Sequence, residues 1–291
     1  MSSIKDFKYK FYKLDAFGKI IAITTVVFIL DLVLSSLLRL NFIKYFVLPS
    51  GFMDFIVQPW SLITYGFIHS GIWHLLFNML FLYYLSRIAS NLFRTKMILN
   101  VYFLGIIVGG LFYLAVANVL PPSFLEVENG ILVGASAGIS ALLVFVALYM
   151  PNSEIRLFNV FNVKWKYIAL FFIGFDVIRI FMGINQGGYI AHLGGYILGY
   201  FYATKLKEGK DIGVGFERAM DSVTGWFKPK SNLKTVYRKK IKEEFAGKTK
   251  QEFNTFNNQK KIDLILDKIS KSGYESLTSE EKEFLFKAGK N

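Results

Sequence analysis

Long uninterrupted apolar runs constrain this chain more than any other feature of its sequence. Six such runs lie near residues 18–38, 72–91, 97–119, 131–150, 166–183 and 187–206. Most hold about 20 residues, the length at which a helix spans roughly 30 Å of hydrocarbon. In a soluble domain, the hydrophobic 53% of the sequence would instead recur at helix or strand period. The sequence therefore predicts an all-α membrane protein, a bundle of six transmembrane helices with a small helical cytoplasmic tail.

The positive charges predict the orientation of this bundle. The formal net charge is +13, and Lys and Arg are concentrated in the first 20 residues, in alternate short loops and in the tail. The basic loops hold Arg94, Lys96, Arg156, Lys164 and Lys166, whereas the opposite loops hold Glu126, Glu128, Asn185 and Gln186. By the positive-inside rule we expect a multi-pass protein with both termini in the cytoplasm, in a bacterial cytoplasmic (inner) membrane. Basic residues do not alternate with base-stacking aromatics, so nucleic acid is not an expected partner.

The chain divides into four parts by composition. Residues 1–17 form a Lys-rich amphipathic N-terminus, 18–206 the membrane domain, 207–250 a basic linker and 251–291 a small helical hairpin. Within the membrane domain, residues 40–70 are apolar but interrupted by prolines and glycine, which predicts a structured loop at the outer interface. In the tail, Gly273 ends one helical pattern, and Thr278 with Glu281 forms a capping-box pattern that begins the next.

Polar residues near the starts of alternate apolar runs predict a buried site. The chain has 3 histidines: His69 and His74 near the second run and His192 near the sixth. The second, fourth and sixth runs share one direction, so His74, Asn78, Ser136 and His192 are expected at one depth, roughly 5 to 12 Å below the outer surface. Unpaired polar groups are costly there, so we expect these side chains to meet.

Glycines accompany these polar residues at helical spacing. Gly134 and Gly138 flank Ser136, and Gly195 and Gly199 follow His192. Small residues four apart let helix backbones approach closely, as a hydrogen bond between Ser and His on different helices requires. We therefore expect these four glycines to be helix-packing positions. Packing alone would explain the glycines but not the buried Ser and His.

Three motifs together resemble the signature of the rhomboid family of intramembrane serine proteases. They are HLLFN at 74–78, GASAG at 134–138 and AHLGGYILG at 191–199, and the resemblance covers residues 18–206. It implies that Ser136 is the nucleophile, His192 the general base, and His74 and Asn78 the oxyanion donors with the Ser136 amide. It also implies a Ser-His dyad that needs neither an acidic partner nor a cofactor or metal. The expected partners are transmembrane protein substrates and the lipid bilayer; the sequence assigns no partner to the tail.

Two positions depart from the family pattern. Rhomboids often carry Trp-Arg in the first outer loop, where this chain has Trp60-Ser61. Some members place an aromatic residue four positions after the serine, where it stacks on the catalytic histidine; this chain has Ser140 there. Neither change affects Ser136 or His192 directly. Without the stacking aromatic residue, however, the sequence does not show what orients the His192 ring.

Other hydrolase classes fit the sequence less well. GASAG also satisfies the nucleophile-elbow pattern of soluble hydrolases, but that motif lies between a strand and a helix, and here we expect it inside an apolar helix. The sequence lacks H-E-x-x-H and the paired membrane-aspartate motifs, and it has no cysteine for thiolate chemistry.

Charged residues within the apolar runs leave a transporter open as an alternative. Asp176 and Arg179 are three residues apart on one helix and are expected to neutralise each other. For Asp31 a structural hydrogen bond is favoured over an ion pathway. A non-enzymatic rhomboid-like factor, which binds membrane segments without cutting them, is the stronger alternative, although such proteins commonly lose the serine or the histidine.

Overall fold

The computed structural model describes residues 2–39, 43–120, 130–157, 161–227 and 250–289. The chain is mostly helical and separates into two compact units, Met1–Phe227 and Lys228–Asn291.

The first unit contains the predicted apolar helices. In chain order its helices are α1 (Ser2–Lys13), α2 (Ala16–Leu38), α3 (Phe52–Val57), α4 (Ser61–Thr64), α5 (Ile72–Ser90), α6 (Thr95–Val119), α7 (Ser136–Tyr149), α8 (Trp165–Phe181), α9 (Gln186–Lys207) and α10 (Val214–Phe227). Helices α2, α5, α6, α8 and α9 match predicted runs within two residues at each end. Helix α7 begins later than predicted, and this shift changes the interpretation of the site.

Three of these helices meet simple criteria of length and hydropathy for crossing a membrane. They are Ala16–Ser36, Ile72–Ser90 and Thr95–Val119, and Ser136–Tyr149 is a shorter apolar helix. Helices α7 and α8 have 14 and 17 residues. Glycine, tyrosine and histidine lower the hydropathy of α9. Within the described residues, these criteria therefore identify fewer spans than the six predicted.

The segment before α5 is a structured loop, as predicted. Strand β1 (Leu48–Pro49) pairs antiparallel with β2 (Ile131–Leu132), which tethers this loop to the approach to α7. The Tyr65 hydroxyl donates to the Ile106 carbonyl at 2.7 Å. The Tyr65 carbonyl in turn accepts from the Gly134 amide at 3.0 Å. The loop thus fixes the backbone just before Ser136.

Helices α6, α7 and α9 pack closely through glycines. A Cβ atom on Gly195 or Gly199 of α9 would overlap the carbonyl oxygens of Ala137 and Ala141 of α7. Gly138 of α7 packs against Tyr102 of α6. The close contacts of these three glycines lie between helices, whereas Gly134 precedes α7.

Helix α6 contributes a glycine surface that the sequence reasoning missed. A Cβ atom on Gly105 would lie 2.5 Å from the Ala141 side chain, and one on Gly109 would lie 2.6 Å from that of Ala137. Gly194 of α9 also approaches Gly109. The spacing of Gly105 and Gly109 is the same four-residue interval as in α9, so the signal was present in the sequence.

Two antiparallel strands, β3 (Glu154–Leu157) and β4 (Phe161–Lys164), connect α7 to α8. After α9, the predicted linker contains helix α10. The Tyr202 hydroxyl donates to Asp211 at 2.6 Å, and Asn100 donates to the Gly213 carbonyl at 3.2 Å. Lys96 pairs with Glu217 and Asp221 on α10 itself. These contacts hold the first part of the linker against α6 and α9.

Within the second unit, the described residues 250–289 form two helices. Helix α11 (Lys250–Ser272) ends near Gly273, and α12 (Ser279–Ala288) begins after a 3₁₀ turn. Both hydrogen bonds of the predicted capping box between Thr278 and Glu281 form. Ile265 and Leu277 are buried.

Candidate active site

A cavity of about 190 Å³ in the first unit brings together predicted site residues from three helices. Asn78 of α5, Ser136 of α7 and His192 of α9 all line it. Ser140 and Asp176 line it as well, and aromatic side chains cover much of the remaining wall. Ser136 and His192 therefore line one cavity, although they lie on different helices.

Ser136 is the first residue of α7, not a residue within it. The prediction that GASAG lies inside a helix is wrong, because the chain before Ser136 runs as strand β2 and then turns at Gly134, where φ is +117°. Residues 131–135 are not helical, so helical rise does not give the depth of Ser136. Strand, turn and helix follow one another around the serine, as in a nucleophile elbow.

This position gives Ser136 an electrostatic environment that a mid-helix serine would lack. The first amides of a helix have no carbonyl partner in the same helix, and the helix dipole adds partial positive charge. In α7 the first amide that donates to a carbonyl one turn earlier is that of Ile139, which donates to the Ala135 carbonyl. The backbone N–H groups at and just after Ser136 therefore remain available to an anion that forms beside the serine.

His74 faces the serine across Gly134. Both His74 Nε2 and Ser136 Oγ lie within 3.6 Å of the point that a Gly134 Cβ would occupy. Ser70 Oγ lies 3.1 Å from the other ring nitrogen, Nδ1. If Ser70 donates, Nε2 carries the proton and donates towards the serine.

Asn78 lies one turn further along α5. Its Nδ2 donates to the His74 carbonyl at 2.8 Å, which leaves the second N–H of the amide for another acceptor. Among described residues, Asn78 Oδ1 and both ring nitrogens of the buried His69 have no hydrogen-bond partner. The His69 ring contacts the His74 ring with centroids 4.9 Å apart, which supports the His74 ring from behind.

His192 has an acidic partner, contrary to the expectation from sequence. His192 Nδ1 lies 2.8 Å from Asp176 Oδ2, and the Tyr196 hydroxyl donates to the same oxygen at 2.6 Å. The expected pairing of Asp176 with Arg179 is therefore wrong. Arg179 Nε instead donates to the Tyr189 hydroxyl at 3.3 Å. The i,i+3 spacing allowed the intrahelical pair, but the packing of α8 on α9 turns Asp176 towards His192.

A signal for the Asp176 contact was present in the sequence. Helices α8 and α9 are joined by a tight turn with positive φ at Gly183 and Asn185, and Asp176 and His192 are equally far from Ile184 within it. Residues at equal distance from the turn of a helical hairpin lie at the same level. Tyr189 and Tyr196, which were also missed, are one turn before and one turn after His192 on the same helix face.

The structural hydrogen bond favoured for Asp31 is not found among the described residues. Its side chain on α2 is partly exposed, and no described residue hydrogen-bonds to it. It lies outside the cavity that Ser136 lines.

Comparison with known proteins settles the family. The family model for the Rhomboid domain matches residues 57–208, more than half of the chain. The chain belongs to the rhomboid family. The matched region includes every residue of the three motifs, so the resemblance drawn from the sequence is confirmed.

The curated relatives are plant rhomboid-like proteins. The "RHOMBOID-like protein 12, mitochondrial" of Arabidopsis thaliana is 25% identical over 158 residues, covering 52% of this chain and 47% of that protein. The "Rhomboid-like protein 16, chloroplastic" of the same plant is 25% identical over 162 residues, covering 52% of this chain and 50% of that protein. This rhomboid thus spans about half the length of the curated relatives it matches. Residues 251–290 match a separate family of unknown function (DUF6576).

Proposed function

We propose that this rhomboid is an intramembrane serine protease, a serine endopeptidase that cleaves transmembrane segments of other membrane proteins. The observation that carries the proposal is that Ser136 and His192, from two different helices, line one cavity. Family membership supports the same activity.

In the proposed reaction His192 is the general base and Ser136 the nucleophile. Nε2 of His192 takes the hydroxyl proton as Ser136 Oγ attacks a peptide carbonyl. The imidazolium then gives this proton to the leaving amine, which leaves an acyl-enzyme. Water, activated by the same imidazole, hydrolyses the ester and regenerates Ser136.

The oxyanion of this reaction would be stabilised by the start of α7 and by α5. The Ser136 amide at the helix N-terminus, His74 Nε2 and the second N–H of Asn78 are its proposed donors. Removing one such donor is expected to lower kcat about 100-fold. His74→Ala and Asn78→Ala test these roles by kcat.

We infer that all six apolar helices span the bilayer, with both termini in the cytoplasm and the cavity opening on the opposite side. The cavity wall includes Phe81 of α5 and Phe172 of α8, whose rings meet edge to face with centroids 5.4 Å apart. At this position the barrier between α5 and α8 consists of apolar side chains and not of main chain. A substrate segment would enter sideways between α5 and α8 by displacing them.

The decisive experiment uses the purified protein in proteoliposomes with a model transmembrane substrate. Wild type is expected to cut the substrate, while Ser136→Ala and His192→Ala leave it intact. Cleavage by Ser136→Ala at the wild-type rate, or cleavage that disappears with a metal chelator, would refute the proposal.

The same assay distinguishes a non-enzymatic rhomboid. Such a factor would co-purify with the model substrate without cutting it, and Ser136→Ala would leave this binding unchanged. The retention of both Ser136 and His192 in one cavity favours the enzyme.

The orientation is testable because the chain has no native cysteine. A cysteine introduced at Glu126 should react with an impermeant thiol reagent from outside the cell. One introduced at Ser222, on α10, should react only after the membrane is opened. The reverse labelling pattern would overturn the orientation.

A further inference from the structure

Asp176 stands out as a buried carboxylate on an otherwise apolar helix. Its side chain is 3% exposed, whereas its neighbours on α8, Phe175 and Val177, are exposed apolar residues. A carboxylate is strongly disfavoured away from water unless it is hydrogen-bonded. Burying the Asp176 carboxylate therefore costs free energy, which its hydrogen bonds must offset.

These contacts converge on one carboxylate oxygen beside the proposed general base. Asp176 Oδ2 lies 2.8 Å from His192 Nδ1 and 2.6 Å from the Tyr196 hydroxyl. An ionised carboxylate can only accept hydrogen bonds, so Nδ1 of His192 would carry the proton. The other ring nitrogen, Nε2, is then unprotonated and available to Ser136, as a general base must be.

From this geometry we infer that Asp176 is a positioning residue, which holds His192 in the Nδ1–H tautomer and stabilises the imidazolium that forms when Ser136 loses its proton. This inference rests on the proposed protease function and extends the dyad by a third group. It follows the logic of serine protease triads, in which an acid orients the histidine without itself taking up the proton.

A second set of contacts holds the carboxylate in place. The Tyr196 hydroxyl donates to Asp176, and Tyr196 lines the cavity together with Ser140, one turn after Ser136 on α7. These hydrogen bonds therefore join α8 to α9 beside the nucleophile's own helix. The Tyr189 ring meets the imidazole edge to face, with centroids 5.4 Å apart and an interplanar angle of 85°.

These contacts with His192 replace the support that an aromatic residue at position 140 would give. An aromatic residue at position 140 would stack on the histidine in some relatives, but a serine cannot do so. Here the imidazole is instead held by Asp176 at Nδ1 and by the edge-to-face contact with the Tyr189 ring. The acid on α8 thus supplies support that residue 140 does not.

A spectroscopic experiment on the wild-type protein tests the tautomer without requiring turnover. The chain has only 3 histidines, so ¹⁵N-histidine labelling gives a spectrum that His69→Gln and His192→Ala can assign. The expected result is a proton on Nδ1 of His192 at neutral pH. A neutral ring protonated on Nε2 would overturn the inference, because Asp176 would then be a protonated donor to Nδ1.

Kinetics of Asp176→Asn test the positioning role. The amide side chain is nearly isosteric but can donate to Nδ1 and so favour the wrong tautomer. We expect kcat to fall by about 100-fold or more while KM for the transmembrane substrate stays within about twofold. Asp176→Glu, which keeps the carboxylate, should recover part of the rate.

The control variant is Asp31→Asn, which neutralises another aspartate in an apolar helix, outside the cavity, and should keep wild-type kcat. Thermal unfolding in detergent checks that Asp176→Asn remains folded. If Asp176→Asn cleaves within about threefold of wild type while Ser136→Ala is inactive, the inference about Asp176 fails and the protease function stands. If Ser136→Ala remains active, the protease function itself fails.

Discussion

His74 Nε2 lies 2.7 Å from the point at which a Cβ atom of Gly134 would stand. Gly134 also has φ of +117°, a conformation that residues with a side chain rarely adopt. The glycine therefore serves two purposes: it turns the chain into α7 at Ser136, and it leaves room for the proposed oxyanion donor.

Replacing Gly134 by alanine should impair both activity and stability. The strained backbone is expected to cost about 1–3 kcal/mol, and the new methyl group must displace His74. We expect kcat to fall at least about tenfold, close to the loss of one oxyanion donor. Cleavage kinetics and thermal unfolding in detergent measure the two effects.

Gly174→Ala is the matched control, because a Cβ there meets nothing within 4 Å and its φ is ordinary. Alanine within a helix should leave stability unchanged or raise it slightly. Equal behaviour of the two variants would contradict the role given to Gly134.

Gly195→Ala and Gly199→Ala should each separate α9 from α7. The added methyl groups would overlap the carbonyl oxygens of Ala137 and Ala141, which are backbone atoms and cannot move aside freely. Overpacking of this kind costs about 1–3 kcal/mol. Thermal unfolding should detect this loss, and Gly215→Ala, which has open space around it, should not show it.

Tyr202→Phe should release the start of α10 from the membrane domain. The buried Tyr202 hydroxyl donates to Asp211, and a hydrogen bond to a charged group contributes about 1.5–3 kcal/mol. Lys96→Ala removes exposed ion pairs with Glu217 and Asp221, which contribute about 0–1 kcal/mol. Hydrogen exchange over residues 211–227 should therefore rise more in Tyr202→Phe. A larger effect of Lys96→Ala would show that the surface ion pairs dominate.

Thr278→Ala should loosen the start of α12. The Thr278 side chain accepts from the Glu281 amide, and losing such a cap costs about 1 kcal/mol, equivalent to about fivefold faster exchange. Hydrogen exchange of the full-length protein over residues 279–289 measures it. Ser279→Ala is the control, because the cap is formed by the residue before it. Similar exchange in the two variants would argue against the capping box.

The same hairpin should weaken in acid. The Lys268 ammonium, and then the Thr278 amide, lower the pKa of Glu281 below its ordinary value of 4.5. A carboxyl group whose pKa is lowered on folding stabilises the fold above its ordinary pKa and loses this effect as pH falls through the lowered value. We expect exchange protection of α12, corrected for intrinsic rates, to fall below about pH 4.5. In Glu281→Gln this pH dependence should be reduced, whereas in Glu280→Gln it should persist.

Local patterns were sufficient to predict much of this protein. The apolar runs place the helices because their length and continuity do not depend on what packs against them. Thr278 and Glu281 predict their own cap because both partners lie within one turn. The motifs around His74, Ser136 and His192 identify the family because their order and spacing can be read from the sequence without knowing how the helices pack.

The sequence alone did not predict the features that depend on contacts between segments far apart in the chain. Helix α7 begins at Ser136 because β1 binds residues 131–132 as a strand and the Tyr65 carbonyl holds the Gly134 amide, contacts that apolar composition cannot reveal. Asp176 could have paired with Arg179, its neighbour on the same helix. The packing of α8 against α9 instead places the Asp176 carboxylate beside the His192 ring. The sequence by itself determined which residues are chemically able to act. Only the tertiary structure determined which of them are in contact, because hydrogen-bond partners depend on distances that are set when the helices pack.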